Sequence, residues 1–137
     1  MPRSFPDSGV LIDAARASRP ERAQTALYYL DDPQRTYLTS PFVHLETVPK
    51  AGYTGRTEEL DFYETFFRDP SVEWCRDWDR METVAEAEAR RHGLGALDLH
   101  LAAAHLLGAD ELVTTEGLLK PLHRSRLVRV VYLYALV

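Results

Sequence analysis

Residues 95–117 read Gly-Ala-Leu-Asp-Leu-His-Leu-Ala-Ala-Ala-His-Leu-Leu-Gly-Ala-Asp-Glu-Leu-Val-Thr-Thr-Glu-Gly, and this stretch decides the fold. Leu97, Leu101, Ala104 and Leu107 recur at helical spacing, as do Leu99, Ala103 and Leu106. A helix that is apolar over most of its circumference belongs in a core. Gly108 stands where a left-handed residue usually ends such a helix. Glu111 to Thr115 is β-prone and runs into Glu116. Asp98 interrupts the apolar pattern, and a carboxylate there is costly unless a charged or hydrogen-bonding group meets it. Asp98 and Glu116 thus ride on adjacent core elements, which calls for a chemical reason.

Working outward, the N-terminal segment predicts a short strand ending near Asp7, then a helix to about Ala17 that Asp7 can cap. Pro20 opens a second helix through Tyr29, with Ala23, Ala26, Leu27 and Leu30 inward. Residues 35–39 form a strand. Ser40-Pro41 then starts a short helix that carries Glu46 one turn beyond Phe42 and ends at Pro49, before a loop over 51–56. Thr57 caps the next helix, which runs to about Arg68. The pairs Phe62/Phe66 and Tyr63/Phe67 give it a wide aromatic face, for the core or for a second subunit. Residues 71–75 form a third strand. A polar helix follows over 77–91, striped by Trp78, Met81, Val84, Ala85 and Ala89 and closed by Gly93. Beyond Glu116, residues 117–122 make a loop or short helix, and 127–134 a last strand. Strands alternating with helices predict an α/β fold: a single three-layer α/β/α domain over 1–137, with a mainly parallel sheet of roughly five strands.

The totals narrow the function. A chain of 137 residues is the size of one domain. No apolar run reaches the roughly 18 residues of a membrane span, and Asp7 and Asp13 break the N-terminal apolar segment, so no signal peptide is expected. Cys75 is the one cysteine and cannot form an internal disulfide, which fits a reducing cytoplasm and an inert buried thiol. The net charge of −5 argues against a broad nucleic-acid surface but leaves room for local basic strips. No G-x-G-x-x-G or G-K-[ST] segment marks a nucleotide-binding or flavodoxin-like domain.

Four segments together resemble the PIN-domain family, the fold of many small prokaryotic ribonucleases including VapC-type toxins. They are Asp7-Ser-Gly-Val-Leu-Ile-Asp13, Ser40-Pro-Phe-Val-His-Leu-Glu46, Ala96-Leu-Asp98-Leu-His-Leu-Ala-Ala-Ala and Glu111-Leu-Val-Thr-Thr-Glu116. In order and spacing they match the family's first-strand Asp, third-helix Glu, late-helix Asp and the acid after the fourth strand. The resemblance spans almost the whole chain. It implies a catalytic and metal-holding set of Asp7, Glu46, Asp98 and Glu116, with Thr115, and secondarily Thr114, as the hydroxyl neighbour. It also implies Mg²⁺ or Mn²⁺ as cofactor, RNA as substrate, an antitoxin protein as partner and a homodimer. Glu116 departs from the family, which mostly has Asp there; its extra methylene shifts the geometry of a second metal.

The chemistry agrees. Crowded carboxylates repel unless cations neutralise them, and an all-oxygen set suits Mg²⁺ or Mn²⁺. The five histidines show no zinc spacing, and His105 reads as a packed helix residue. A divalent ion can bind a phosphate oxygen and lower the pKa of water, which implies phosphodiester hydrolysis leaving a 3′-hydroxyl and a 5′-phosphate. Lys50, Arg76, Arg80, Lys120, Arg124 and Arg126 are candidates to rim an anion-binding site. The alternative is a PIN-like binding or scaffold module that has lost its chemistry, with Glu116 as the mark of the loss.

Overall fold

The computed structural model describes residues 1–16, 18–93 and 97–135, and only the backbone of Leu97 and Asp98. The expected end of the first helix at Ala17, and the lead-in Gly95-Ala96, lie outside the described residues. The elements are β1 (Arg3–Pro6), α1 (Ser8–Ala15), α2 (Pro20–Leu30), β2 (Thr36–Thr39), α3 (Pro41–Tyr53), α4 (Thr57–Arg68), β3 (Glu73–Trp74), α5 (Trp78–His92), α6 (Leu97–Leu106), β4 (Glu111–Thr114) and β5 (Val130–Tyr132). Single 3₁₀ turns occupy Pro121–Arg124 and Leu133–Ala135.

All five strands pair in parallel, in the order β3-β2-β1-β4-β5. The chain builds outward from β1 to β3 on one side, then returns to lay β4 and β5 on the other. The order therefore reverses between β1 and β4, with Ser4 beside Glu111 and Pro6 beside Val113. In open α/β sheets that switch point opens a crevice at the carboxyl ends of the strands.

Neighbouring strand residues face opposite sides of the sheet, and two apolar clusters follow. Phe5, Leu38 and Leu112 pack with Val43, Tyr63, Met81 and Leu101 on one face. Val113 and Val131 pack with Val10, Ala14, Ala26 and Tyr29 on the other. Helices cover both faces, which completes the three layers. The core helix α6 is as expected: Leu101, Ala102, Ala103 and Ala104 are fully buried, and Gly108 (φ 68°) turns the chain toward β4. Asp110 N–H donates to the Arg3 carbonyl, so this turn lies at the amino end of the sheet. α6 therefore starts at the opposite, carboxyl end.

Several local expectations are corrected. Pro49 does not end α3, which continues to Tyr53. A mid-helix proline deprives the carbonyl four residues back of its donor. Here that residue, Leu45, is exposed, so water can serve the carbonyl, while buried Thr47 and Ala51 hold the helix on both sides of the break. Leu27 is exposed and Tyr29 is buried in its place, because the Tyr29 hydroxyl finds Ser4 and its ring packs edge-on to Tyr37. Thr57 is the first helical residue of α4 rather than its cap. His105 is exposed, not packed. The third and last strands shrink to two and three residues. Cys75 is buried, as expected.

Candidate functional site

Asp7 lies at the carboxyl end of β1, at the switch point. Its backbone N–H donates to Val113 O at 2.9 Å, extending the β1–β4 ladder by one residue. Its side chain caps α1: Oδ1 accepts from Val10 N–H at 3.1 Å, and Oδ2 accepts from the Thr114 hydroxyl at 2.5 Å. The residue is only 2% exposed. Burial pushes its carboxyl above the usual pKa; the Thr114 hydrogen bond, the His100 charge and the Val10 N–H oppose this, and the Glu116 charge adds to it. Asp7 is therefore a carboxylate whose negative charge is incompletely met by the protein. His100 and Glu116 both lie within its electrostatic reach.

Glu46 projects from α3 at the rim and is about one-third exposed. His100 Nε2–H donates to Glu46 Oε1 at 2.5 Å, and the Ser8 hydroxyl donates to the same oxygen at 3.1 Å. The His100 hydrogen bond chiefly holds the Glu46 carboxyl below its ordinary pKa, against a partial burial penalty, with the His100 charge and Ser8 assisting. His100 itself is 1% exposed, wedged against Phe5 and Phe42 with ring centroids at 6.1 and 5.3 Å. Its Nδ1 is buried without a hydrogen-bond partner among the described residues, as are Thr39 Oγ1 at the end of β2 and Ser40 Oγ beside it.

Glu116 follows β4. Its backbone N–H donates to Thr114 Oγ1 at 3.0 Å, and His123 Nε2–H donates to its carbonyl at 2.8 Å. Thr114 thus bridges Asp7 and the Glu116 backbone. Thr115 is the expected hydroxyl, but the hydroxyl on Asp7 is Thr114's. Thr115 instead packs on the first turn of α1: a Cβ on Gly9 would lie 2.2 Å from Thr115 Oγ1, so only glycine admits that approach.

Asp7 and Glu46 are therefore linked through Ser8, the residue after Asp7, and the Glu116 backbone is tied to Asp7 through Thr114. Asp98 occupies the first turn of α6, two residues before His100; its side chain lies outside the described residues. Among the candidate rim cations, Arg76 stacks on Trp74 at 4.3 Å and Arg80 meets Asp77 at 4.0 Å, while Lys50, Lys120, Arg124 and Arg126 are exposed. The reading of the sequence missed Ser8 and His100. Both lie inside the quoted motifs, and His100 carries the one usable signal, a polar ring on the buried face of an apolar helix.

The donor set suits a hard divalent cation. A carboxylate has about four lone-pair sites, and each Asp7 oxygen spends one on the protein, as Glu46 Oε1 spends two. Asp7 keeps acceptor capacity on both oxygens, and Glu46 keeps Oε2. Among the described residues no three His, Cys, Asp or Glu side chains already form a metal-holding group.

Comparison with solved structures decides the fold. A chain of a toxin–antitoxin complex from Klebsiella pneumoniae superimposes with a TM-score of 0.67, at 20% identity, over 96% of this chain and 98% of that one. The chain has a PIN-like fold. A chain of VapBC2 from Rickettsia felis, bound to a DNA fragment from its promoter, gives the same TM-score at 15% identity, covering 93% of this chain and 96% of that one. No family model and no curated protein matches the sequence. The PIN-like fold places the switch-point crevice, and Asp7 within it, on an architecture shared by both complexes.

Proposed function

We propose that this chain is a Mg²⁺- or Mn²⁺-dependent ribonuclease that hydrolyses RNA phosphodiester bonds, and that it acts as the toxin of a toxin–antitoxin pair. The observation that carries the reading is Asp7: a carboxylate buried at the switch point, its charge incompletely met, beside a second acid, Glu116. The toxin–antitoxin complexes that share the fold support the antitoxin partner.

Asp7, Asp98, Glu46 and Glu116 would hold the ion. When bound it supplies positive charge for phosphate oxygens and makes water easier to deprotonate. The residues of the chain do the positioning. Thr114 and the Val10 N–H fix the Asp7 carboxylate, while His100 and Ser8 fix Glu46. In the overall reaction water adds to phosphorus and the P–O3′ bond breaks, leaving a 3′-hydroxyl and a 5′-phosphate. A homodimer belongs to the same reading. Tyr63 and Phe67 are spent in the core, which leaves Phe62 and Phe66 of α4 half-buried on the outer face.

One observation favours a second reading, a binding module without chemistry: Glu46 is already paired with His100. Incubation of a mixed RNA pool with Mg²⁺ or Mn²⁺ separates the two. Cleavage that needs the metal and disappears with Asp98→Asn supports the nuclease. Absence of cleavage by partner-free protein in both metals supports the binding module.

A further inference from the structure

The chain carries a net charge of −5, yet residues 117–137 contain Lys120, Arg124, Arg126 and Arg129 and no Asp or Glu. Arg124 and Arg126 lie on one side of a cleft of about 610 Å³, lined with Leu127 and, from the last turn of α5, Glu88, Arg91 and His92. The single acid in this cleft is spent. Glu88 is 3% exposed; it accepts from the Ser125 hydroxyl at 2.9 Å and lies 3.5 Å from both His92 and Arg91. Arg124 and Arg126 are exposed and form no ion pair among the described residues.

The cleft is also tied to the carboxylate site. His123, next to Arg124, donates to the carbonyl of Glu116, and Leu122 is buried beneath the same 3₁₀ turn. On the other wall α5 ends at His92, and α6 begins five residues later at the carboxyl end of the sheet, where Asp7 lies. Both walls are thus anchored beside the acids, one through the chain after Glu116 and one through the helix before Asp98. A polyanion lying across an acidic centre needs cations on its flank. Arginine forks in a cleft bind phosphate oxygens bidentately.

We propose that this cleft holds the backbone of single-stranded RNA next to the scissile phosphate, with Arg124 and Arg126 as its phosphate contacts and Arg91 as a flanking cation. Glu88 and Ser125 brace the two walls against each other. The inference rests on the ribonuclease reading for the identity of the polyanion, but its test does not require cleavage.

The probe is a short fluorescein-labelled single-stranded RNA of random sequence, titrated with the full chain carrying Asp7→Asn, and read by anisotropy across a range of salt. Single-strand binding loses a log–log salt slope of about 0.7 per phosphate contact. Adding Arg124→Ala and Arg126→Ala should therefore lower the slope by about 1.4 and weaken binding at low salt, whereas Arg68→Ala, an exposed arginine on α4, should change neither. An unchanged slope in the double variant overturns the proposal, as does an equal loss with Arg68→Ala or failure of the parent chain to bind the RNA. Binding that depends on Arg124 and Arg126 in a wild-type protein that cleaves nothing upholds the cleft and removes only the nuclease. Both arginines are exposed, so the variants should melt with the parent.

Discussion

Replacing Asp7 by Asn should stabilise the metal-free protein and remove its response to divalent ions. Asn keeps the cap, because its amide oxygen can accept from the Val10 N–H that Asp7 Oδ1 now binds at 3.1 Å. Its NH₂ can donate to Thr114 Oγ1, which has a second lone pair beyond the one taken by Glu116 N–H. What disappears is a buried charge. Because burial raises the Asp7 pKa above its unfolded value, ionised Asp7 costs stability. That cost sets in as pH rises through the unfolded-state value, roughly 3.9, and is complete above the folded one. Near neutral pH the variant should gain on the order of 1 kcal/mol, the size of an ordinary stabilising substitution, or about 3 °C in Tm for a chain of this length. The gain should shrink as the pH is lowered toward about 4. Mg²⁺ or Mn²⁺ at about 100 times its Kd should stabilise wild type by about 2.7 kcal/mol and leave Asp7→Asn nearly unmoved, so the order of stability inverts between EDTA and metal. Thermal denaturation of both proteins in both conditions reads this directly. A variant that melts below wild type in EDTA would refute the charge argument, and a wild type indifferent to both metals would refute the ion site.

Three further changes probe the surrounding structure. His100→Ala should lower RNA cleavage by about 10–100-fold, the usual cost of losing a residue that orients a ligand, and let the Glu46 carboxyl titrate closer to its ordinary range, with His100→Gln recovering part of both by NMR titration and rate. Gly9→Ala should destabilise by about 1–3 kcal/mol through overpacking as its Cβ drives into Thr115 Oγ1, measured by urea unfolding. Glu59 is buried among Tyr63, Arg16 and Arg56; burial opposes its charge, but the Tyr63 and Arg16 hydrogen bonds outweigh it and hold its pKa low. Its contribution is present above the unfolded pKa, about 4.3, and is lost as pH falls through the lower folded value, so Glu59→Gln should cost about 1 kcal/mol at neutral pH, since both arginine partners are partly exposed, and flatten the acid side of the stability curve.

The parts of the fold that were legible in the sequence are those set by local physics. The apolar periodicity of α6, the stop at Gly108 and the Asp7 cap each depend on neighbours within a turn of helix, and each is present. Pro49 was misleading because its cost depends on whether the Leu45 carbonyl can reach water, which is a property of the tertiary surface. Leu27 goes to the surface for a similar reason: Tyr29 is buried instead, and its hydroxyl is met by Ser4, 25 residues away. At the site, the acids could be named from their motifs, but the contacts that set their states could not. His100 reaches Glu46 across 54 residues and Thr114 reaches Asp7 across 107, and no local pattern encodes either meeting.

The central claim is that the carboxylates at the switch point hydrolyse RNA with a divalent ion. The most direct test is the chemistry of the ends that partner-free wild-type protein produces from a mixed RNA pool in Mn²⁺. Fragments with 5′-phosphate and 3′-hydroxyl ends, absent in EDTA, are expected. Fragments ending in a 2′,3′-cyclic phosphate, or cleavage that survives EDTA, would contradict the claim, because the RNA's own 2′-hydroxyl would then be the attacking group and the acids would have no ion to hold.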